Sequence, residues 1–218
     1  MKELKTNGIT FIDAVPGGDG SWYYGLSFDQ GDLYEAEEIF KDGREVRGRE
    51  FCLISFPDGE VFRPLQKRAG AYPAEAVYEN GKIWFPEADF PAGLIRIFAF
   101  DCESHETETA AEIPLSSVKD CYNLQLHVRP LCLTRQGGAD GLFEIVWPEK
   151  AAFPLDPHES FFLRDGKKLY FNRWDEEGDG DGYRYWEETV VRDLKGNILE
   201  VLPGDVRLMP DGEIWHLG

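Results

Sequence analysis

The sequence predicts an all-β fold of small antiparallel sheets, and three observations carry that expectation. Helical periodicity is almost absent. Apolar residues come instead in short runs divided by Gly, Asp, Asn and Pro, the punctuation of strands and tight turns. Within the runs, side chains alternate: in "NLQLHV" (123–128), Leu124, Leu126 and Val128 point one way while Gln125 and His127 point the other. Strands joined by short turns, with no long helices between them, favour antiparallel pairing over βαβ units.

Taken in order, the candidate strands are "GITFIDAV" (8–15), "SWYYGLSF" (21–28), "EFCLISF" (50–56), "EVFRPL" (60–65) and "KIWFP" (82–86). There follow "LIRIFAFD" (94–101), "YNLQLHV" (122–128), "GLFEIVW" (141–147) and "KKLYFN" (167–172). The last are "RYWEETVVRDL" (184–194), "NILEVL" (197–202), "DVRLM" (205–209) and "EIWHL" (213–217). Only "PAEAVYE" (73–79) and "EEIFKDGREVRG" (37–48) have room for a helical turn, and Gly43 argues against a long helix in the second.

The turns repeat. "FPDGEVF" (56–62) and "MPDGEIW" (209–215) share Pro-Asp-Gly-Glu, a β-branched residue and an aromatic; "LRDGKKLYF" (163–171) and "YENGKIWF" (78–85) are looser versions. Asp-Gly and Asn-Gly suit tight hairpins because Gly accepts positive φ. Asp165 and Asp211 lie 46 residues apart, and Asp58 precedes Asp165 by 107, near twice that spacing. Four-strand units recurring at roughly 40 to 50 residues are the trace of propeller blades. On these residues the chain resembles β-propellers at the superfamily level, without a Trp-Asp or kelch signature. "FFLRDGKKLYFNRW" with "YRYWEETVVRDLKGNILEVLPGD" reads as one complete blade, and "VRLMPDGEIWHL" as the start of the next. A period of about 44 residues implies about five blades in a single β-repeat domain over 1–218. The resemblance also implies ring closure between the N-terminal strands and 205–217. The stretch 103–140 fits the period badly, and a two-sheet β-sandwich is the alternative.

Composition narrows the classes. The chain of 218 residues is 42% hydrophobic and 14% aromatic, enough to bury a core. Its 41 acidic and 23 basic residues give a net charge of −18, which argues against nucleic acid or an anionic membrane as partner and favours solubility. The opening "MKELKTNGITFIDAVPGG" lacks the apolar core of a signal peptide, and no run reaches membrane-spanning length, so a cytoplasmic location is expected. Cys52, Cys102, Cys121 and Cys132 form no CxxC pair and are expected as thiols; Cys52 alternates with Ile54 and Phe56 on an apolar strand face.

Motifs that carry chemistry are sparse. "DEEGDGDGY" (175–183) holds five carboxylates and three glycines. As a calcium loop begun at Asp175 it offers Glu177, Asp179 and Gly180 at positions 3, 5 and 6, with Asp181 beside them, but Trp186 occupies position 12, where a bidentate acid belongs. The favoured reading is a solvated turn without a cofactor; calcium, if bound by Asp175, Glu177, Asp179 and Asp181, would be held at only ~10⁻⁴ to 10⁻³ M. No G-x-S-x-G elbow, HExxH pair or phosphate cradle occurs, so no catalytic residue is assigned. His127, on a face with Gln125 and Arg129, reads as an exposed strand histidine before it reads as a base.

Two aromatic clusters stand beside acids: Trp22 and Tyr23 near Asp19, and Tyr183, Tyr185 and Trp186 after the acidic loop. Aromatic faces near carboxylates are the usual equipment of sugar sites, where rings stack on C–H faces and acids accept hydroxyl protons, so these six residues are the candidate ligand site. Trp84, Trp147, Trp174 and Trp215 are expected to pack between sheets. The expected function is a non-enzymatic binding or scaffold module for a protein or small carbohydrate ligand, acting through a loop face or central opening. A carbohydrate-active, glycoside-hydrolase-like enzyme or carbohydrate-binding protein is the alternative. The oligomeric state is open.

Overall fold

The first alternating segments pair with one another. In the computed structural model, which describes residues 1–28, 30–209 and 212–218, with Asp181 described by its backbone only, β1 (Ile12–Ala14) and β2 (Trp22–Leu26) form an antiparallel pair. Helix α1 (Leu33–Lys41) interrupts before β3 (Phe51–Ser55) and β4 (Val61–Phe62) complete the sheet in the order β1-β2-β3-β4. Gly25 has a steric task in it. A Cβ there would sit 2.7 Å from the Ile9 side chain and 3.2 Å from the Cys52 sulfur, so only glycine lets β2 lie this close to its cover.

The helix begins earlier than "EEIFKDGREVRG" suggests. Asp32 accepts from the Glu35 amide at 2.8 Å and Glu35 returns a carboxylate to the Asp32 amide at 2.9 Å, a complete capping box. Its inward residues are Leu33, Ala36 and Glu37, and the helix stops at Lys41 just before Gly43. The buried Glu37 is not stranded: Lys41 lies 3.2 Å away and the Cys121 amide donates to it at 2.7 Å.

The second sheet holds β5 (Ala71–Pro73), β6 (Val77–Glu79), β7 (Lys82–Asp89), β8 (Leu94–Asp101) and β9 (Thr107–Pro114). Its path is β5-β7-β8-β9, with β6 pairing the other half of β7. The helical turn expected over 73–79 is therefore two strand ends. Asn80 and Gly81, both at positive φ, close a two-residue hairpin that commits Val77–Glu79 to the sheet.

In the third sheet β10 (Gln125–His127), β11 (Cys132–Gln136), β12 (Leu142–Trp147) and β13 (Ala151–Pro154) run in sequence order. The fourth has β14 (Glu159–Asp165), β15 (Lys168–Glu177), β16 (Arg184–Arg192) and β17 (Ile198–Pro203), followed by a hairpin of β18 (Asp205–Leu208) and β19 (Ile214–Leu217). The blade read over 161–174 and 183–205 is thus one sheet. Four small antiparallel sheets follow one another along the chain, the arrangement of a β-propeller, and the two-sheet sandwich does not occur.

Four blades stand where the period implied about five. A uniform period counts the helix insertion between β2 and β3 as blade, and the last candidate unit has only two strands. The stretch 103–140 fits badly because β9 closes the second sheet before a short third one opens. No described helix is long and apolar enough to cross a membrane.

The chain forms two compact units, Met1–Leu126 and His127–Gly218. In the first, Phe51 and Leu53 of the first sheet meet Ile83, Phe85, Phe98 and Phe100 of the second, with Phe51 and Phe85 centroids 4.5 Å apart. In the second, Phe143 and Phe153 of the third sheet meet Phe171, Leu169 and Val190 of the fourth. Tyr170 and Val191 then cover Val206 of the final hairpin. Phenylalanine does the work expected of tryptophan: Trp84 and Trp147 are half-buried, but Trp174 and Trp215 are 41% and 50% exposed. Trp174 lies where β15 has outrun its packing partner, and Trp215 directs its indole N–H to Glu213 at 3.1 Å on the surface.

Gly25→Ala is expected to cost about 1–3 kcal/mol through overpacking against Ile9, read as a lower urea midpoint. Ile9→Val in the same background should recover part of the loss, because it trims the obstructing side chain.

Candidate functional site

The fourth sheet's central hairpin is longer than the core it serves. Near the turn with β14, Leu169, Phe171 and Val190 are buried; beyond Arg173 and Glu188 the two strands continue into solvent. The register assigns side chains to faces. Asp175 pairs with Trp186 and Glu177 with Arg184 on one face, while Trp174 with Glu187 and Glu176 with Tyr185 share the other. Tyr183, Tyr185 and Trp186 are all exposed here.

Acids in this hairpin hold its aromatic and basic side chains. The Tyr183 hydroxyl donates to Glu176 at 2.8 Å and the Tyr185 hydroxyl to Glu187 at 2.7 Å; each bond raises its phenol's pKa by favouring the protonated form. Arg173 pairs with Glu188 and stands 3.3 Å from Asp175, whose other oxygen is 3.3 Å from Nδ1 of His158. The His158 ring stacks on Trp174 with centroids 4.3 Å apart. Four aromatic side chains are thereby fixed or flanked by partners from the same sheet.

The sheet's outer strand adds aliphatic surface that the sequence reading passed over. On β17, Ile198, Leu199 and Val201 are 51%, 54% and 42% exposed, and among the described residues no strand lies beyond β17 in the sheet order.

Of the candidate calcium ligands, Asp175 faces His158 and Arg173, Glu177 lies across from Arg184 on β16, and Asp179 precedes a single 3₁₀ turn (Gly180–Gly182) without capping it. The Asp181 side chain lies outside the described residues, as does Asp211 of the repeated turn. Among the described residues, no group of three or more His, Cys, Asp or Glu is placed to hold a metal ion.

The other aromatic cluster lies in the first unit and divides between faces. Trp22 packs on Phe62 and Phe100, each at 5.5 Å, whereas Tyr23, next in the strand, packs toward Phe56 at 6.3 Å. Asp19 accepts the Ser21 amide at 2.9 Å, and hydrogen bonding by Ser21 keeps its carboxyl below the usual range. A groove of about 500 Å³ beside α1 is lined by Phe28, Tyr34, Glu35, Glu38, Ile39 and Arg44. Its acids are occupied too: Glu35 in the capping box and Glu38 by Lys41 at 3.3 Å.

His127 is not the exposed histidine its alternation implied. It is half-buried with its ring 4.5 Å from Phe161, and burial pushes its pKa down to about 4. It is neutral at pH 7 and lacks the poise of a base working there. Cys52, Cys121 and Cys132 are buried thiols and Cys102 is half-buried, and desolvation raises the pKa of Cys52, Cys102 and Cys121, the state of packing residues.

Comparison with protein-family models gives no match, and comparison with curated proteins gives none. The likeness therefore stands at the level of propeller architecture.

Two expectations follow from these environments. Addition of about 5 mM calcium should leave the melting temperature unchanged, since several loop acids already face neighbouring side chains; a rise in Tm under calcium would show a bound ion. His127 has a folded pKa below its unfolded value of 6.5, so the unfolded chain binds the extra proton and stability falls as pH drops from 6.5 towards 4. Between pH 7 and pH 4.5 the stability difference between wild type and His127→Gln should move by about 2 kcal/mol against the wild type, measured by denaturant melts.

Proposed function

We propose that this chain is a non-enzymatic binding module that captures a protein segment on the exposed part of its fourth sheet. The observation that carries the reading is the gathering of Tyr183, Tyr185, Trp186, Ile198, Leu199 and Val201, all exposed, on one small sheet. Tyrosine and tryptophan supply large contact area with few rotatable bonds and dominate the energetics of protein interfaces. Here the phenols are held by Glu176 and Glu187, so less side-chain entropy is lost on docking.

The propeller fold itself suggests a binding or scaffold role. Asp175, Glu176, Glu187 and Glu188 engage neighbouring side chains within the sheet, which suits positioning groups better than a glycosidase acid and base.

The test is a parallel screen of a peptide library and a glycan array. Peptide ligands are expected, with binding reduced roughly 30-fold in Trp186→Ala and in Tyr183→Ala. Recognition confined to glycans, or peptide binding indifferent to both substitutions, would overturn the assignment.

A further inference from the structure

We infer that β17 is an edge for strand addition, and that its occupant is an extended segment of another protein in which aliphatic and basic residues alternate. The inference rests on the docking role proposed for the fourth sheet and names the chemistry of what docks.

The backbone is open on the right side. Gly204 donates to the Glu187 carbonyl at 2.9 Å, so its amide faces β16. Alternation from there turns Leu202 and Glu200 towards β16 and turns the Val201 amide and carbonyl outward. Pro203, which has no N–H, falls on the outward side, where the ladder to β16 loses nothing. Exposed edges are ordinarily blunted by lysine, an internal proline or a covering element. β17 reads Ile-Leu-Glu-Val-Leu-Pro, carries no lysine, and among the described residues is paired by no further strand. An added strand would find outward backbone groups at Val201, while beyond it the Pro203 carbonyl already lies 2.7 Å from Nε2 of His216, which sets the C-terminal limit of the edge.

The side chains specify the partner. Val201 pairs with Val190 and Ile198 with Arg192, on the face that carries Phe171, so an adjoining strand meets an aliphatic strip there. Glu200 pairs with Val191 on the opposite face, is exposed, and has no ion-pair partner among the described residues. A strand presenting valine-like residues on the first face and lysine or arginine on the second would complement both. Net charge decides between occupants. A second copy would bring another −18 to the interface, whereas a basic segment is attracted and its encounter accelerated.

The experiment uses the intact protein and a fluorescein-labelled ten-residue peptide alternating valine and lysine, followed by fluorescence anisotropy at about 0.15 M salt. Binding is expected, with a loss of roughly ten-fold or more in Val201→Pro, which removes the outward N–H, and in Glu200→Lys. Val201→Thr, which restores the N–H, should bind nearly as wild type. On the peptide side, methylating alternate amides should abolish binding whatever the folding of the protein variants. Equal binding by a peptide with its valines and lysines in separate blocks, by a valine–threonine peptide, or by the methylated peptide would overturn the inference.

Loss in Trp186→Ala without loss in Val201→Pro would move the contact to the hairpin, sinking strand addition but leaving the binding-module reading intact. Sedimentation of the wild type as a dimer that Val201→Pro dissociates would make a second copy the occupant and also refute it.

Discussion

The structure depends on the burial of aromatic faces between successive small sheets. A sheet of four short strands cannot shield its own apolar side chains, so within each compact unit one sheet is completed by its neighbour: Phe51 needs Phe85, and Phe143 needs Phe171. Phe143 and Phe171 centroids are 5.2 Å apart, edge to face, the geometry that aromatic quadrupoles favour. The side chains at these positions must fit from both directions, and Gly25 shows how little room is left in the first sheet. Strand lengths and turns can vary around this constraint, which is why a blade can carry a helix between two of its strands or extend a hairpin into solvent without loss of the core.

How much of this is legible before folding depends on whether the information is local. The fourth sheet is, because Asp165-Gly166 fixes one turn and the alternation on either side fixes the faces. The helix was legible only as room for a turn over 37–48: its apolar period is too short to announce itself, and the Asp32 and Glu35 capping-box spacing that starts it was passed over. Blade number was not, because it depends on which strands find partners across the chain. The tryptophans misled for a related reason. Size predicts burial on average, but Trp174 sits where β15 extends past its cover and Trp215, next to the inward-packed Ile214, pairs with exposed Arg207 in the two-stranded final hairpin, and both are tertiary properties.

The candidate site divides the same way. Tyr183, Tyr185 and Trp186 stand out in sequence because glycines and acids surround them, and the structure leaves them exposed. Trp22 and Tyr23 look equivalent in sequence but serve two opposite faces of packed strand. Ile198, Leu199 and Val201 were invisible as surface, since "NILEVL" reads only as a strand; alternation reports two faces and says nothing about whether a strand is central or last.

That last position ties the protein's charge to its edge. An aliphatic outer strand without lysine or cover is the usual start of uncontrolled pairing between identical chains. Here the chain carries an acidic excess of 18, and like-charged copies approach against a repulsion that acts over roughly 8 Å at physiological salt. With the proposed strand addition the protection would be selective rather than absolute, because the same field that repels copies would draw in a cationic segment. Blunting the edge with lysine would stop self-pairing and forbid that partner together. Leaving it open beneath a negative field achieves the first without the second, and Glu200, placed among the exposed aliphatics with no ion-pair partner among the described residues, is the point at which the general charge becomes a local contact.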